Sequence, residues 1–321
     1  MHTAERVTLA RLPSGVKIET TVHTYGDPDS DGPTLYVQAA QHGREVNGTE
    51  VLRRLHEQLI ANETKLHGTL IAVPVADPLT FDRVSYTTPE ILDSVNDNMN
   101  RCWPGDADGS LHERMAATLW SYASSADAIV DLHTGSPTML THTVYMDGND
   151  ESKRLAEAFG TDLLLAEAAG DSASTEWSER NFGGKFRVAA TREGIPSITP
   201  ELAHSKQLVE PAIDAGVTGM FNVLAAYDLR EQPVPEWDGT RARNHLGRVR
   251  ATDAGLFVPR TDITLGQDVS EGDSFGTVYD PTTYEALQTV TADRDGILYS
   301  IAREATVTGG STLIGVAERI A

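Results

Sequence analysis

A histidine and a glutamate stand three residues apart, directly after an apolar run that is typical of a buried strand. This run, Thr34–Ala39, leads into a Gln-His-Gly-Arg-Glu segment that contains His42 and ends at Glu45. His133 ends a second apolar run, over residues 128–132. Zinc in proteins takes nitrogen and oxygen ligands at roughly 2.0–2.2 Å, and a catalytic zinc uses three protein ligands and one open position. The spacing therefore favours a catalytic zinc site formed by His42, Glu45 and His133.

Two further carboxylates could take part in the same chemistry. Asp131 lies two residues before His133, on the same face of the predicted strand, where it could orient the imidazole or pair with a surface arginine. Glu201 follows Pro200 at the end of another predicted strand. It is the best candidate for the base that takes a proton and passes it to a leaving nitrogen. Glu193 in the preceding turn is its main rival, and a surface or helix-capping role for Glu201 stays open.

The segment 96–105 is predicted to be a loop because it is polar and ends in Pro-Gly. It contains Asn100 and Arg101. A guanidinium binds a carboxylate through two parallel hydrogen bonds, and a neighbouring amide can bind the same group. These two residues could therefore hold a substrate carboxylate, although an ordinary surface ion pair is the alternative.

The apolar pattern places these residues on an α/β fold with a mostly parallel central sheet flanked by helices. Four short runs rich in Val, Ile and Leu predict buried strands, over residues 34–39, 69–75, 128–135 and 195–202. Helical spacing of apolar residues lies between and after them, over residues 47–61, 112–123, 151–159 and 209–229. In such folds the functional residues gather at the carboxyl ends of the strands, where the motifs fall.

The pattern changes after residue 230. The stretch 230–239 contains two prolines and no periodicity, which is typical of a linker. Short alternating runs separated by Gly and Asp follow it and predict a small antiparallel β domain. We therefore predict a catalytic domain over residues 1–232 and a small all-β domain over residues 233–321. The latter could bind a partner or form the interface of a homo-oligomer.

The composition limits the possible partners. Forty-seven acidic residues against 26 basic ones give a formal net charge of -21, which disfavours binding to nucleic acid or to anionic membranes. The acidic residues are scattered and only five lysines occur, so a solvated acidic surface of a salt-adapted (halophilic) protein is our hypothesis. No apolar run is long enough to span a bilayer, and the N-terminus lacks a signal-peptide pattern, so we expect a cytoplasmic protein. The single cysteine, Cys102, excludes a multi-cysteine metal site.

Four motifs together resemble the succinylglutamate desuccinylase/aspartoacylase family, a branch of the zinc carboxypeptidase-like fold. They are, in order, the segments at residues 41–45, 100–105, 131–135 and 199–201. The resemblance extends over about residues 30–230, and the β-rich tail is similar to the C-terminal domain of that family.

The resemblance implies a zinc-dependent deacylase acting on a small N-acyl amino acid. One zinc ion per chain would be held by the three candidate ligands, and a zinc-bound hydroxide would attack the acyl carbonyl. Glu201 would be general base and acid, while Asn100 and Arg101 would bind the carboxylate of the amino acid. Cobalt or manganese would also suit the ligands. A metallocarboxypeptidase acting on short peptides and a non-catalytic binding protein on the same scaffold are the alternatives.

One position departs from the family pattern. Members often carry an arginine in the loop before the Asn-Arg pair, and Tyr86 stands at that place here. That arginine, with the metal, would stabilise the oxyanion. Arg83, a few residues earlier, could take over this role.

Overall fold

The computed structural model describes residues 1–27, 29–61, 65–168, 181–243 and 248–320. Its helices are α1 (Asn47–Ala61), α2 (Pro78–Arg83), α3 (Leu111–Ala123), α4 (Asp150–Phe159), α5 (Phe186–Arg192) and α6 (Glu210–Ala226). Its first nine strands are β1 (His2–Arg11), β2 (Lys17–Gly26), β3 (Thr34–Ala39), β4 (Thr69–Val73), β5 (Ala128–Gly135), β6 (Thr138–Met139), β7 (His142–Met146), β8 (Leu163–Glu167) and β9 (Ser197–His204).

The later strands are short and lie close together along the chain. They are β10 (Thr240–Arg243), β11 (Arg248–Arg250), β12 (Gly255–Pro259), β13 (Asp268–Val269), β14 (Ser274–Tyr279), β15 (Ala286–Thr291), β16 (Gly296–Ile301), β17 (Thr306–Val307) and β18 (Thr312–Arg319). Short 3-10 turns lie at Met99–Arg101 and Phe182–Gly184.

One large mixed sheet runs through the molecule in the order β1-β2-β4-β3-β5-β9-β7-β8-β10-β18-β16-β13. The pairs β4–β3, β3–β5 and β5–β9 at its centre are parallel, as are β7–β8 and β8–β10. Strands β15, β14, β12 and β17 form a separate antiparallel sheet. The predicted fold class is thereby confirmed: an α/β unit with a mainly parallel centre and an antiparallel β region near the C-terminus.

The helices cover both faces of the central sheet because its strands are apolar on both sides. Leu35 and Val37 belong to the core packed by α1, α4 and α6, whereas Tyr36 between them belongs to the core packed by α3 and α5. This alternation follows from the two-residue period of a strand. Continuous apolar runs, rather than alternating ones, are therefore the pattern expected here.

Several of the strands after residue 239 continue the central sheet. Strand β10 pairs in parallel with β8, and β18 pairs with β10. The hairpin of β16 and β18 then continues the sheet, and β16 also pairs with β6. The sheet thus includes strands from both sides of the boundary predicted between residues 232 and 233. The division into two domains at this boundary stays a prediction.

The predicted elements agree with the observed ones at the centre of the sheet and differ at their ends. Strand Thr34–Ala39 and helix Asn47–Ala61 have the predicted bounds. The strand predicted over 195–202 lies at Ser197–His204, so Glu201 is inside it rather than at its end. The hairpin of β1 and β2 is not part of the predicted fold. Among the described residues, no helix is both long and apolar enough to cross a membrane.

Helices α4 and α6 contact each other where a glycine faces an aromatic ring. A Cβ atom placed on Gly219 would lie 2.7 Å from the Phe159 ring, which is 2% exposed. We expect Gly219→Val to lower the free energy of unfolding by about 1–3 kcal/mol, because an extra side chain in a packed core forces its neighbours apart. The exposed neighbour Thr218 provides the control, and Thr218→Val should change the free energy of unfolding by less than about 0.5 kcal/mol. Urea unfolding of both variants measures these changes. Equal losses of stability in the two variants would contradict the predicted steric conflict at Gly219.

Candidate metal centre and cavity

The three predicted metal ligands meet at the carboxyl ends of two adjacent parallel strands. His42 and Glu45 lie in the loop between β3 and α1, and His133 lies near the end of β5. Their potential ligand atoms all lie within 4.8 Å of one another, and all three side chains are buried. We call these three residues the metal centre.

Each imidazole of the metal centre is held by two oxygen atoms. His42 Nδ1 is 2.9 Å from Glu45 Oε1, and its Nε2 is 3.1 Å from Asn98 Oδ1. His133 Nδ1 is 2.9 Å from Glu45 Oε2, and its Nε2 is 2.8 Å from Asp131 Oδ2. When Asn98 and Asp131 accept the Nε2–H protons of the two rings, the Nδ1 atoms keep a lone pair that can bind a metal. Both Nδ1 atoms lie on the side of the ring that faces Glu45.

The charges of this cluster are those of a cation site. Burial by itself would raise the pKa of Glu45, but the imidazoles of His42 and His133 outweigh it and lower the pKa to about 2. Burial also opposes the charged form of His133, yet Asp131 and Glu45 raise its pKa well above the ordinary value. Two buried carboxylates thus favour a positive charge between them, which a proton or a metal ion can supply. The donor set of two imidazoles and one carboxylate fits zinc.

A tight turn brings the ligands into place. Ala40 has a left-handed φ of 50°, which non-glycine residues adopt at a cost. Gly43 lies so close to α2 that a Cβ atom there would be 1.9 Å from the Thr80 carbonyl carbon, and its N–H donates to Thr80 Oγ1 at 3.0 Å. Close backbone approach therefore requires a glycine between the two ligands of this loop.

Asp131 orients His133, as predicted for one of its two possible roles. It is buried in β5 and accepts hydrogen bonds from Gln38 Nε2 at 3.0 Å and from Gln41 Nε2 at 3.1 Å, in addition to its contact with His133. Gln41 Oε1 in turn accepts a hydrogen bond from the indole of Trp103. The alternative, an ion pair with a surface arginine, does not apply because Asp131 is buried.

Glu201 lies beside the metal centre on the neighbouring strand. The β5–β9 register places it opposite His133, and its side chain lines the same cavity. Burial, together with the negative charge of Glu45, raises its pKa to about 7, against the opposing effects of His133, Lys185 and Arg187. A carboxylate with a pKa near the working pH can both accept and return a proton. Glu193, its rival, is exposed and does not line the cavity.

The Asn100–Arg101 pair borders the metal centre on a 3-10 turn that Asn98 caps. The carbonyl oxygen of the Asn100 side chain accepts from the Phe186 N–H at 2.9 Å, and its Nδ2 is 3.5 Å from His133 Nε2. The Arg101 guanidinium lies 4.8 Å from the centre of the Phe182 ring. Both residues line the cavity.

Two arginines near Tyr86, Arg83 and Arg44, differ in their positions relative to the cavity. Arg83 is exposed in the last turn of α2 and does not line the cavity. Arg44 does line it and lies 4.7 Å from the centre of the Tyr86 ring, while Tyr86 stacks on the His42 imidazole with centroids 3.9 Å apart. Sequence reasoning did not select Arg44, although it stands between two proposed ligands.

The cavity has a volume of about 470 Å³ and is lined from both parts of the chain. Tyr299 and Ser300 from β16 and Thr312 from β18 line it together with the metal centre. Its basic lining residues are Arg44, Arg101, Lys185, Arg187 and Arg248. Glu167 in the same wall forms ion pairs with Lys185, at 2.7 Å, and with Arg187. Glu45, Glu201 and Glu304 also line the cavity, so its wall carries five basic and four acidic side chains, whereas the whole chain has a net charge of -21.

A fold of this kind, with a two-histidine, one-carboxylate cluster at the strand ends, defines the class of zinc carboxypeptidase-like proteins. The model of the succinylglutamate desuccinylase/aspartoacylase catalytic domain matches residues 31–227, more than half of the chain. The chain therefore belongs to the succinylglutamate desuccinylase/aspartoacylase family, as the four motifs indicated.

Individual relatives agree with this assignment over nearly the whole chain. The N-alpha-acetyl-L-2,4-diaminobutyric acid deacetylase of Halomonas elongata is 29% identical over 94% of this chain and 86% of its own. A succinylglutamate desuccinylase/aspartoacylase from Rhodobacter sphaeroides is 24% identical with a TM-score of 0.82, covering 100% of this chain and 95% of its own. The product-bound ectoine utilization protein EutE (DoeB) from Ruegeria pomeroyi is 22% identical with a TM-score of 0.80, covering 99% and 94%. The two solved structures share the fold.

Sequence reasoning also missed a buried histidine that anchors the Asn100 loop. His112 Nε2 is 3.3 Å from Asp77 Oδ2, its Nδ1 contacts the Asn96 carbonyl, and its backbone N–H donates to Asp93 Oδ2 at 2.9 Å. Burial opposes its charged form, but the hydrogen bond and charge of Asp77, with Asp93, raise its pKa. Asp77 also caps α2, so the protonated ring connects this helix to the loop.

This pKa shift makes part of the stability depend on pH. Because the folded-state pKa of His112 is above the ordinary 6.5, its charge stabilises the fold fully below pH 6.5 and progressively less as pH rises through the folded-state pKa. We therefore expect His112→Gln to cost about 1–3 kcal/mol near pH 6 and less at alkaline pH. Urea unfolding across this range measures the difference, with the exposed His67→Gln as control. A pH-independent difference would contradict the charged role.

Proposed function

We propose that the protein is a zinc-dependent hydrolase that cleaves the amide bond of a small N-acyl amino acid. The observation that carries the proposal is the convergence of His42, Glu45 and His133 beside Glu201 in a cavity that five basic side chains also line. Membership of the family and the 29% identical deacetylase support an acyl-amide hydrolase rather than a non-catalytic binding protein. Three ligand side chains leave an open position, which is typical of a catalytic rather than a structural zinc site.

When bound, zinc would act as a Lewis acid on the acyl carbonyl and lower the pKa of a water molecule. The side chains of His42, Glu45 and His133 would hold it. Asn98 and Asp131 fix the imidazole orientations through their Nε2 atoms, at 3.1 and 2.8 Å, so the ligands need little rearrangement.

Glu201 would move the proton during hydrolysis. It would take a proton from the attacking water while the water oxygen bonds to the acyl carbon. It would then give this proton to the nitrogen as the carbon–nitrogen bond breaks, releasing a carboxylic acid and the free amino acid. Its position opposite His133 and its pKa of about 7 suit both transfers.

The basic groups would bind the anionic parts of the substrate. Asn100 and Arg101 border the metal centre and are our proposed ligands for the α-carboxylate. Arg44 is better placed than Arg83 to stabilise charge that develops on the acyl oxygen, since it lines the cavity and Arg83 does not. A role for Arg83 stays a prediction.

The walls of the cavity favour a small substrate over a peptide. About 470 Å³ suits a single acylated amino acid, and residues of strands β16 and β18 form part of the cavity wall. The relative from Halomonas elongata carries an N-acetyl substrate in its name, so N-acetyl amino acids are the first compounds to test. N-succinyl amino acids and dipeptides test the other family activity and the carboxypeptidase alternative.

We expect Glu201→Gln to reduce kcat/KM by roughly 10²–10⁴-fold while the zinc content stays unchanged, because the amide cannot transfer the proton. Glu193→Gln is the matched control, since it changes the rival carboxylate outside the cavity and should leave kcat/KM unaltered. Steady-state kinetics on N-acetyl amino acids and elemental analysis provide the two measurements. A Glu201 variant that keeps full activity would remove this residue from the mechanism.

Metal content tests the ligand assignment separately. We expect Glu45→Ala with His133→Ala to abolish both zinc binding at the metal centre and hydrolysis, because one imidazole alone holds zinc weakly. Asp131→Asn should keep the site but weaken its zinc affinity about 10–100-fold, since Asp131 orients His133 and is not itself one of the three proposed ligands. Equilibrium dialysis against zinc measures both effects. Hydrolysis that survives in the double variant, which lacks two of the three ligands of the metal centre, would contradict a mechanism that depends on this centre.

A further inference from the structure

A second group of three histidines lies outside the cavity, in the N-terminal hairpin and helix α1. His2 is in β1, His23 is in β2 and His56 is in α1, and we call them the histidine cluster. Potential ligand nitrogens of all three rings lie within 4.8 Å of one another, and each residue is half-buried. None of the three lines the cavity.

The fold, rather than the local sequence, brings these rings together. The β1–β2 register places His2 opposite Tyr25 and Ala4 opposite His23, so His2 and His23 share one face of the hairpin. Helix α1 covers this face and adds His56 from its third turn, with its ring centroid 5.0 Å from that of His2 and 5.8 Å from that of His23.

The closest polar contact within the cluster joins two ring nitrogens. His2 Nε2 is 3.1 Å from His23 Nδ1, and two neutral rings can share only one proton there. Two nitrogens bound to one tetrahedral zinc ion at about 2.0–2.1 Å would be roughly 3.3 Å apart, close to this separation. Among the described residues, none of the three rings forms an ion pair with a carboxylate.

The third ring is oriented by a tyrosine. Tyr25 Oη is 2.8 Å from His56 Nδ1, and burial raises the pKa of Tyr25 to about 12, so the phenol stays neutral. When the hydroxyl oxygen accepts the Nδ1 proton of His56, the lone pair of Nε2 is left for a metal. A hydrogen bond from the outer nitrogen of a ligating histidine is a usual feature of metal sites.

The rings are also in the form that metals require. Burial lowers the pKa of both His2 and His23, and the neighbouring histidines lower it further. Both are therefore neutral at physiological pH, and neutral imidazole is the species that coordinates.

We propose that His2, His23 and His56 form a second metal site, which takes a divalent late transition-metal ion such as zinc or nickel. Imidazole is a preferred donor for these ions. Three such ligands from two strands and a helix would fasten the edge hairpin β1–β2 to α1. The N-terminus of this helix directly follows the Glu45 loop, and His56 lies nine residues along it, at a rise of about 14 Å.

The test uses the untagged full-length chain, stripped of metal, in the Glu45→Ala, His133→Ala background that removes the metal centre. Equilibrium dialysis against zinc or nickel, in enough salt to suppress weak binding to acidic groups, should give one ion per chain. Adding His23→Asn and His56→Asn should abolish this binding, whereas adding His67→Asn at an exposed histidine should retain it. The zinc-induced rise in Tm should disappear with the binding.

The folded state of the variants is checked by circular dichroism without metal. A folded Glu45→Ala, His133→Ala chain that binds no ion would overturn the proposal and leave the cluster as a packing contact. Binding that survives His23→Asn and His56→Asn would also overturn it. Neither outcome bears on hydrolysis, because the wild-type metal centre and its activity are measured on the unsubstituted chain.

Discussion

The buried carboxylate of Asp131 is the interaction on which the arrangement of the site depends. It lies in β5 and receives hydrogen bonds from Gln38 of β3, from Gln41 in the following loop and from His133. Gln41 then accepts from Trp103, which follows the Asn100–Arg101 turn. A single charge therefore fixes the position of one metal ligand, the loop of the other two and the segment proposed to bind the substrate. A buried carboxylate is costly unless it is fully hydrogen-bonded, so these partners are constrained as strongly as the ligand itself.

The strands near the C-terminus complete a cavity that the parallel sheet alone would leave open. Because β10 and β18 extend the central sheet, β16 belongs to the same sheet, and its residues Tyr299 and Ser300 line the cavity of the metal centre. The sheet that positions the three candidate ligands is thus continuous with strands that line the same cavity. This continuity gives the β-rich tail a direct part in the site, beyond the partner-binding or interface roles considered from the sequence.

The sequence was sufficient for features that depend on local pattern. Short apolar runs located the central strands, and polar residues in or directly after these runs located His42, Glu45, His133 and Glu201, because parallel strands bring their carboxyl ends together. It was insufficient where distant segments meet. His112 lies 35 residues from Asp77, and nothing in its helical pattern indicates this partner. The pairing of β10 with β8 joins segments about 77 residues apart, and no linker composition reveals it. The sequence likewise does not show which of Arg44 and Arg83 lines the cavity, because this depends on the direction of α2.

The distribution of charge has a consequence for how substrate reaches the cavity. An anion approaching this molecule first meets the field of a chain with net charge -21 and only at short range the arginines of the cavity wall. Dissolved salt screens the first interaction, since the Debye length is about 8 Å at physiological ionic strength, but acts less on groups inside a partly enclosed pocket. Added salt should therefore speed the capture of an anionic substrate by this protein, whereas it slows the capture of ligands that are drawn in by an oppositely charged surface.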